Sequence, residues 1–92
     1  MKTVVITGST KGIGLGLAKE FLKRGCSIVI SGRNQHRLEQ EVHRLQEEYG
    51  DDKVLGQICD VTDIHQVEAL WDASKKKFGK VDIWINLSLI HI

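Results

Sequence analysis

A glycine-rich segment near the amino terminus constrains the fold of this chain more than any other feature. Residues 7–14 read T-G-S-T-K-G-I-G and lie between a short β-branched run and a segment whose apolar residues recur at helical spacing. Glycines at positions 8, 12 and 14 allow a sharp turn, let backbone N–H groups approach a phosphate, and let a helix pack closely on the strand. The segment therefore predicts a strand, a turn and a helix, with an anion site at the helix amino terminus.

Strand-like and helix-like segments alternate along the rest of the chain, joined by connections of a few residues. Apolar and β-branched runs indicate strands at 3–6, 27–31, 53–58 and 81–86, and 3.6-residue periodicity indicates helices at 13–24, 35–49 and 63–78. This β-α-β-α-β-α-β order predicts crossover connections onto one parallel sheet. We expect an α/β fold of the Rossmann-like class, comprising the amino-terminal part of a doubly wound parallel sheet that is truncated after the fourth strand.

Residues with capping chemistry lie at the ends of the second and third predicted helices. Asn34 and Asp63 stand at the N-cap positions, and Gln66, three residues after Asp63, completes a capping box. Gly50 and Gly79 follow the last turns and are expected to end the two helices.

Charge and composition exclude several classes of protein. Thirteen basic side chains nearly balance twelve acidic ones in 92 residues, so the net charge of +1 provides no general attraction to nucleic acid or to an anionic membrane. The lysines at 75–77 are expected to offset a helix dipole, with a basic binding patch as the alternative. No apolar run reaches the roughly 20 residues of a membrane span, and no signal-peptide stretch is present. Cys26 and Cys59 lack metal-site spacing, so we expect buried thiols, no metal and a cytoplasmic location.

Four segments resemble, in the expected order, the short-chain dehydrogenase/reductase family. The turn at 7–14 is similar to the family's T-G-x-x-x-G-x-G cofactor turn, and S-G-R at 31–33 resembles the end of the second strand in members that use NADP. Asp60-Val61 resembles the pair that contacts adenine, and D-I-W-I-N at 82–86 resembles the fourth strand that enters the N-N-A-G turn. The resemblance covers residues 2–86 and implies the NADP(H)-binding part of an oxidoreductase. Its full-length parent is then expected to be a homo-oligomer that transfers hydride between NADP(H) and a carbonyl or alcohol substrate.

The choice between NADP and NAD can be argued from charge at the end of the second strand. NAD enzymes commonly place an acidic residue there to hold the ribose hydroxyls, and residues 30–34 contain none. Arg33 stands there instead, with Lys11 as a second cation from the glycine turn, and both are suited to a 2′-phosphate. Two such charged hydrogen bonds predict a preference for NADP of about a hundredfold. The alternative is that both are merely solvated surface residues.

The remaining candidate roles follow from the resemblance. Asp60 would meet adenine through a side-chain oxygen and Val61 through its backbone N–H, although Asp60 could instead only cap the loop before the third helix. Ser9 and Thr10 would hydrogen-bond the ribose or phosphates, or else cap the turn locally. The candidate cofactor-binding residues are Gly8, Ser9, Thr10, Lys11, Gly12, Ile13, Gly14, Arg33, Asn34, Asp60, Val61 and Asn86.

Catalysis in the family depends on a Y-x-x-x-K motif downstream of the fourth strand, so we assign no catalytic residue here. Tyr49 and Lys53 have that spacing, but Tyr49 lies on the apolar face of the second predicted helix and is expected to belong to the core. The chain alone is therefore expected to be inactive. A non-catalytic NADP-sensing or interaction module is the second hypothesis. An S-adenosylmethionine methyltransferase is the third, disfavoured because Arg33 stands where an acidic ribose ligand is usual.

The last six residues, L-S-L-I-H-I at 87–92, do not continue the family pattern. They resemble the translation of a sequencing adapter joined in frame, so we expect a non-native tail after a binding region at 1–86, with natural truncation as the alternative. The fourth strand would then have an uncovered edge. We expect residues 1–92 alone to be marginally folded or aggregated.

Overall fold

Strands and helices alternate in the computed structural model, which describes residues 1–8 and 12–87. The elements are β1 (Thr3–Thr7), α1 (Gly12–Lys23), β2 (Ser27–Gly32), α2 (Gln35–Tyr49), a 3-10 turn (Asp51–Lys53), β3 (Val54–Ile58), α3 (Ile64–Phe78) and β4 (Ile83–Asn86). Ser9, Thr10, Lys11 and residues 88–92 lie outside the described residues.

The four strands form one parallel sheet in the order β3-β2-β1-β4. Val5 in β1 is in register with Val29 in β2 on one side and with Trp84 in β4 on the other. Each of the first three strands is followed by a helix that returns the chain to the opposite edge of the sheet, as parallel pairing requires. The α/β, Rossmann-like fold is thereby confirmed.

Successive residues of the strands face opposite sides of the sheet and build two cores. Even-numbered residues of β1 and β2 face α1 and α2, whereas Val5 and Val29 face α3. Both faces of the central strands are buried, which explains their continuous β-branched character. The α1/α2 side contains Val4, Ile6, Ala18, Leu22, Ile28, Ile30, Leu38, Leu45 and Val54, and the α3 side contains Val5, Val29, Cys59 and Leu70.

The predicted N-cap residues and the helix-ending glycines are confirmed at both helices. Asn34 Oδ1 accepts a hydrogen bond from the Arg37 N–H at 3.0 Å, and Asp63 Oδ1 accepts one from the His65 N–H at 3.0 Å. Gly50 and Gly79 end α2 and α3, and their N–H groups donate to carbonyls one turn back. The lysines at 75–77 lie in the last turn of α3, where they oppose the helix dipole.

Several sequence-based boundaries and faces were wrong. Lys53 belongs to the 3-10 turn, β4 begins at Ile83, and β2 extends to Gly32. Ile13 is 78% exposed, because α1 buries the line Gly14, Ala18 and Leu22 and turns its first apolar residue outward. Trp71 is likewise 43% exposed.

The two cysteines also differ in their burial. Cys59 is buried as predicted, but Cys26 is only partly so, because it lies in the turn between α1 and β2. No helix within residues 1–8 and 12–87 combines the length and apolarity that a membrane crossing needs.

Candidate cofactor-binding site

The candidate residues gather at one edge of the sheet because all the strands point the same way. Gly8 follows β1, Arg33 follows β2, Asp60 follows β3 by two residues, and Asn86 ends β4. The amino termini of α1, α2 and α3 lie at this same edge, which we call the carboxyl edge. Parallel α/β sheets bind ligands at such an edge, beside the point where the strand order reverses. Here the strand order reverses between the neighbouring strands β1 and β4.

The turn between β1 and α1 has the backbone geometry that its glycines predict. Gly8 has φ of 64° and Gly12 has φ of 60°, a left-handed conformation that side chains rarely adopt. No described atom lies within 4 Å of the position a Cβ would take at Gly12, which begins α1. Gly14 is buried in the first turn of the helix. Among the described residues, open space therefore lies beside Gly12 at the start of α1, where a helix has N–H groups without partners inside the helix, an arrangement that fits a phosphate group.

The glycine turn also contains predicted contact residues. The predicted contacts of Ser9, Thr10 and Lys11 fall outside the described residues. Ile13 projects into solvent one residue after the start of α1, so its side chain is available to a ligand and contributes nothing to the core.

Arg33 and Asn34 lie between β2 and α2, and both are exposed. The Asn34 carbonyl oxygen is occupied by the cap of α2, so its amide NH2 group is the part that could contact a ligand. Two hydrogen bonds from Thr62 lower the pKa of Asp60 in the next loop, and the positive charge of Arg33 lowers it further by a smaller amount. Arg33 and Asp60 are thus electrostatic neighbours at the carboxyl edge.

The loop after β3 holds Asp60 in one orientation. Asp60 Oδ1 accepts hydrogen bonds from the Thr62 hydroxyl at 2.7 Å and from the Thr62 N–H at 3.0 Å. The Asp63 N–H donates to the Asp60 carbonyl at 2.9 Å. Asp60 is therefore a loop-capping residue, as one of its alternatives predicted, and its second carboxylate oxygen has no partner among residues 1–8 and 12–87. The capping role and a ligand role are compatible.

Sequence-based reasoning did not identify two residues that organise this edge. Gln66 was predicted to return to the Asp63 N–H in a capping box, but its Oε1 accepts from the Asp60 N–H at 2.8 Å instead. Thr7 ends β1, and its hydroxyl donates to Asn86 Oδ1 at 2.7 Å. The capping spacing of Gln66 was a visible signal that pointed to a different partner, and nothing in the sequence indicated the partner of Thr7.

Tyr49 and Lys53 lie at the opposite edge of the sheet. Tyr49 ends α2 and packs against the α1/α2 core, and Lys53 precedes β3, where its Nζ lies 3.1 Å from Met1 Sδ. Desolvation and the neighbouring Glu48 carboxylate raise the pKa of Tyr49, which disfavours the phenolate. Their Y-x-x-x-K spacing therefore brings no catalytic pair to the candidate site.

Further groups near the site that could react or bind a metal include the Cys59 thiol and the acidic side chains. Burial, followed by the charges of Asp60 and Asp63, raises the pKa of the Cys59 thiol, so the thiol stays protonated at neutral pH. No cluster of metal-ligating side chains occurs in the part of the chain that the structure describes.

A separate groove lies on the α3 face of the sheet, away from the glycine turn and Arg33. Its cavity volume is about 380 Å³, and the Trp71 and Trp84 rings approach to 6.1 Å between centroids. The lining residues are Val67, Glu68, Trp71, Asp72 and Trp84. None of them was a candidate cofactor residue.

Comparison with known proteins gives consistent matches. The family model described as short chain dehydrogenase matches residues 2–88. Chlorophyll(ide) b reductase NOL, chloroplastic, of Oryza sativa subsp. japonica is 51% identical over 83 residues, which cover 90% of this chain and 24% of that protein. 3alpha-hydroxysteroid dehydrogenase of Mediterraneibacter gnavus is 35% identical over 85 residues, which cover 92% of this chain and 34% of that protein.

Solved structures show the same fold. The structure of L-sorbose reductase from Gluconobacter frateurii, complexed with NADPH and L-sorbose, superposes with a TM-score of 0.89 at 37% identity. It covers 97% of this chain, whereas this chain covers 34% of it. The chain thus spans only about a quarter to a third of the length of these relatives.

Proposed function

Because the chain belongs to the short-chain dehydrogenase family, we propose that its residues 1–86 bind NADP(H) at the carboxyl edge of the sheet. The full-length protein would then transfer hydride between NADP(H) and a carbonyl or alcohol substrate. Relatives named as reductases and dehydrogenases support this reaction class. NADP(H) carries the hydride, and the residues described above would bind and orient the adenine and phosphate half of the cofactor.

The geometry of the glycine turn carries this proposal. Gly8 and Gly12 adopt the left-handed conformation, and the space over Gly12 at the start of α1 is open among the described residues. A turn that leaves helix N–H groups accessible fits the pyrophosphate of a dinucleotide.

Arg33 supports NADP as the cofactor. It is exposed at the end of β2, and no carboxylate occupies residues 30–34, where an NAD enzyme would hold the ribose hydroxyls. Lys11 is proposed as the second cation from its sequence position alone. The NADPH in the L-sorbose reductase structure, at 37% identity, supports the same choice.

The test compares the affinities of NADPH and NADH for the chain, fused to a soluble carrier protein, with those of the double variant K11A/R33A. We expect the unmodified chain to prefer NADPH and the variant to lose about a hundredfold of that preference. R24A is the matched control, because Arg24 pairs with Glu20 on an exposed surface beyond the end of α1. An unchanged preference in K11A/R33A would overturn the NADP assignment, and no binding of either cofactor would overturn the proposed function.

We also propose that the chain has no turnover by itself. The described residues bring no catalytic tyrosine and lysine to the carboxyl edge, and Tyr49 and Lys53 lie at the other edge. A carbonyl-reductase assay that follows NADPH oxidation should give no rate above the carrier alone. A longer parent sequence without a downstream tyrosine and lysine pair would instead favour the sensing module.

Location, assembly and the tail complete the proposal. The free thiols of Cys26 and Cys59 fit a reducing compartment, and we propose the cytoplasm, although plant relatives are named as chloroplastic. Homo-oligomerisation of the full-length protein is proposed from the family resemblance. Residues 87–92 are proposed as a non-native tail, of which the structure describes only Leu87. Sequencing the parent gene tests this, since an N-A-G continuation after Asn86 would establish the tail as foreign.

A further inference from the structure

Two glutamine side chains form hydrogen bonds with the backbone at the two ends of β3. Gln46 Nε2 in α2 donates to the Val54 carbonyl at 3.1 Å, at the start of the strand. Gln66 Oε1 in α3 accepts from the Asp60 N–H at 2.8 Å, just beyond the end of the strand. Each bond joins a glutamine amide to the backbone, with Gln46 as donor and Gln66 as acceptor, but only the second lies at the carboxyl edge.

Gln66 makes a second contact that ties the loop to the start of α3. Its Nε2 donates to Asp63 Oδ2 at 3.2 Å, while Asp63 Oδ1 caps the helix by accepting from the His65 N–H. Both polar atoms of the Gln66 amide are therefore used, and each can fill its role in only one orientation of the side chain. The Asp60 peptide is thereby fixed relative to the helix.

This arrangement leaves two neighbouring groups of the loop available to a ligand. The second carboxylate oxygen of Asp60 and the N–H of Val61 have no hydrogen-bond partner among residues 1–8 and 12–87. An acceptor beside a donor complements the edge of adenine, which presents an amino group beside a ring nitrogen. Such a pair discriminates only if the loop holds both groups at the right angle, because hydrogen bonds weaken steeply with misalignment.

We propose that Gln66 is a positioning residue for cofactor binding: it holds Asp60 and Val61 in the orientation that adenine recognition requires, without touching the cofactor. The inference rests on the proposed function, and it assigns a role in the site to α3, in which the sequence provided no candidate residue. Removal of the Gln66 amide frees the Asp60 peptide to rotate and leaves its N–H to water. The glycine turn, which is built by β1 and α1, is unaffected.

The test uses two ligands that separate adenine from phosphate recognition. Binding of 2′,5′-ADP and of inorganic pyrophosphate to the carrier fusion is measured by calorimetry for the unmodified chain, Q66A and Q46A. We expect Q66A to weaken 2′,5′-ADP binding about tenfold and to leave pyrophosphate binding within about twofold. Q46A is the matched control: it removes the equivalent bond at the other end of β3 and should leave both affinities unchanged.

An exchange of polar groups provides the rescue. In Q66E, two carboxylates would face each other where Gln66 and Asp63 now bond, so 2′,5′-ADP binding should weaken at least as much as in Q66A. In D63N/Q66E, the amide at position 63 can donate to the carboxylate at position 66, and that carboxylate can still accept from the Asp60 N–H. The amide oxygen at position 63 still caps the helix, and the net charge is unchanged. This double variant should bind 2′,5′-ADP within about threefold of the unmodified chain.

The outcomes distinguish the two proposals. If the unmodified chain binds 2′,5′-ADP and Q66A binds it equally well, the role of Gln66 is overturned and the proposed function stands. Equal losses of 2′,5′-ADP and pyrophosphate in Q66A, or failure of D63N/Q66E to recover, would also overturn the positioning role. If the unmodified chain binds neither ligand, both proposals are overturned.

Discussion

The hydroxyl of Thr7 donates a 2.7 Å hydrogen bond to Asn86 Oδ1 and joins the ends of β1 and β4 at the carboxyl edge. The hydroxyl oxygen of Thr7 also accepts a hydrogen bond from the Leu87 N–H at 3.1 Å. Thr7 therefore bonds both to the last residue of β4 and to the residue after it. Thr7 is 1% exposed, whereas Asn86 is exposed. The bridge connects residues 79 positions apart and sets where the outer strand ends beside the glycine turn.

Thr7→Val should therefore destabilise the chain. The substitution keeps the shape of the side chain but leaves the Asn86 oxygen without this donor and the Leu87 N–H without its acceptor, at a cost of about 1–3 kcal/mol in the free energy of unfolding. Urea denaturation measures the change. Thr7→Ser, which keeps the hydroxyl, should recover more than half of it, and equal losses in the two variants would contradict the role of the hydrogen bonds.

Gly56→Ala should destabilise the chain for a steric reason. A Cβ at this position in β3 would collide with Cγ2 of Val42 in α2, and it would also contact Leu38 at 3.5 Å. Overpacking of this kind costs about 1–3 kcal/mol. Val42→Ala removes the colliding methyl group, so it should cost about 1 kcal/mol less in the G56A background than in the unmodified chain. Additive effects in this denaturation cycle would show that the collision is not the cause.

Thr62→Val should raise the pKa of Asp60 toward its ordinary value, because the Thr62 hydroxyl is the largest of the influences that lower it. A lowered carboxyl pKa stabilises the fold above the unfolded pKa, about 3.9, and this contribution is lost as pH falls through the folded pKa. The stability difference between T62V and the unmodified chain should thus be full at neutral pH and shrink in acid.

An NMR titration of the Asp60 carboxyl carbon checks this prediction directly. Thr62→Ser is the control, since it keeps the hydroxyl and should leave the pKa of Asp60 low. An Asp60 titration that is the same in T62V and T62S would contradict it.

Trp71→Gln should reduce self-association of the isolated chain. Trp71 is 43% exposed beside Trp84 in β4, and β4 has no neighbouring strand on its outer side within the described residues. An apolar groove beside an open strand edge favours association between copies. Ile64→Gln is the matched control, because Ile64 lies on the same helix and is more exposed, at 64%, but does not line the groove. Sedimentation velocity over a concentration series should show the larger effect for W71Q, and a fully monomeric unmodified chain would contradict the prediction.

The positions of strands and helices could be predicted to within one or two residues because their signals are local. Continuous β-branched runs in β1 and β2, and caps such as Asn34 and Asp63, act within a few positions of the chain. The buried face of each helix was harder to predict. Ile13 and Trp71 belong to apolar stripes, yet both are exposed, because packing against the sheet sets the rotation of α1 and α3.

The site was predictable in part for the same reason. Parallel strands bring their carboxyl ends together, so the placement of Gly8, Arg33 and Asp60 at one edge followed from the order of elements. The partners of Thr7 and Gln66 did not follow. Thr7 bonds to a residue 79 positions away in the chain. The spacing of Gln66 predicted a bond with the Asp63 N–H, whereas the folded loop presents the Asp60 N–H to it.

The amino-acid sequence by itself determined the order of elements, the parallel sheet and the glycines of the turn between β1 and α1, because periodicity and steric freedom act over a few neighbouring residues. The tertiary structure alone decided which faces of α1 and α3 are buried, and that Gln66 accepts a hydrogen bond from the Asp60 N–H and not from the Asp63 N–H. It also decided that Thr7 meets Asn86. Those contacts depend on the distance and angle between elements remote in the chain, which exist only once both cores have packed.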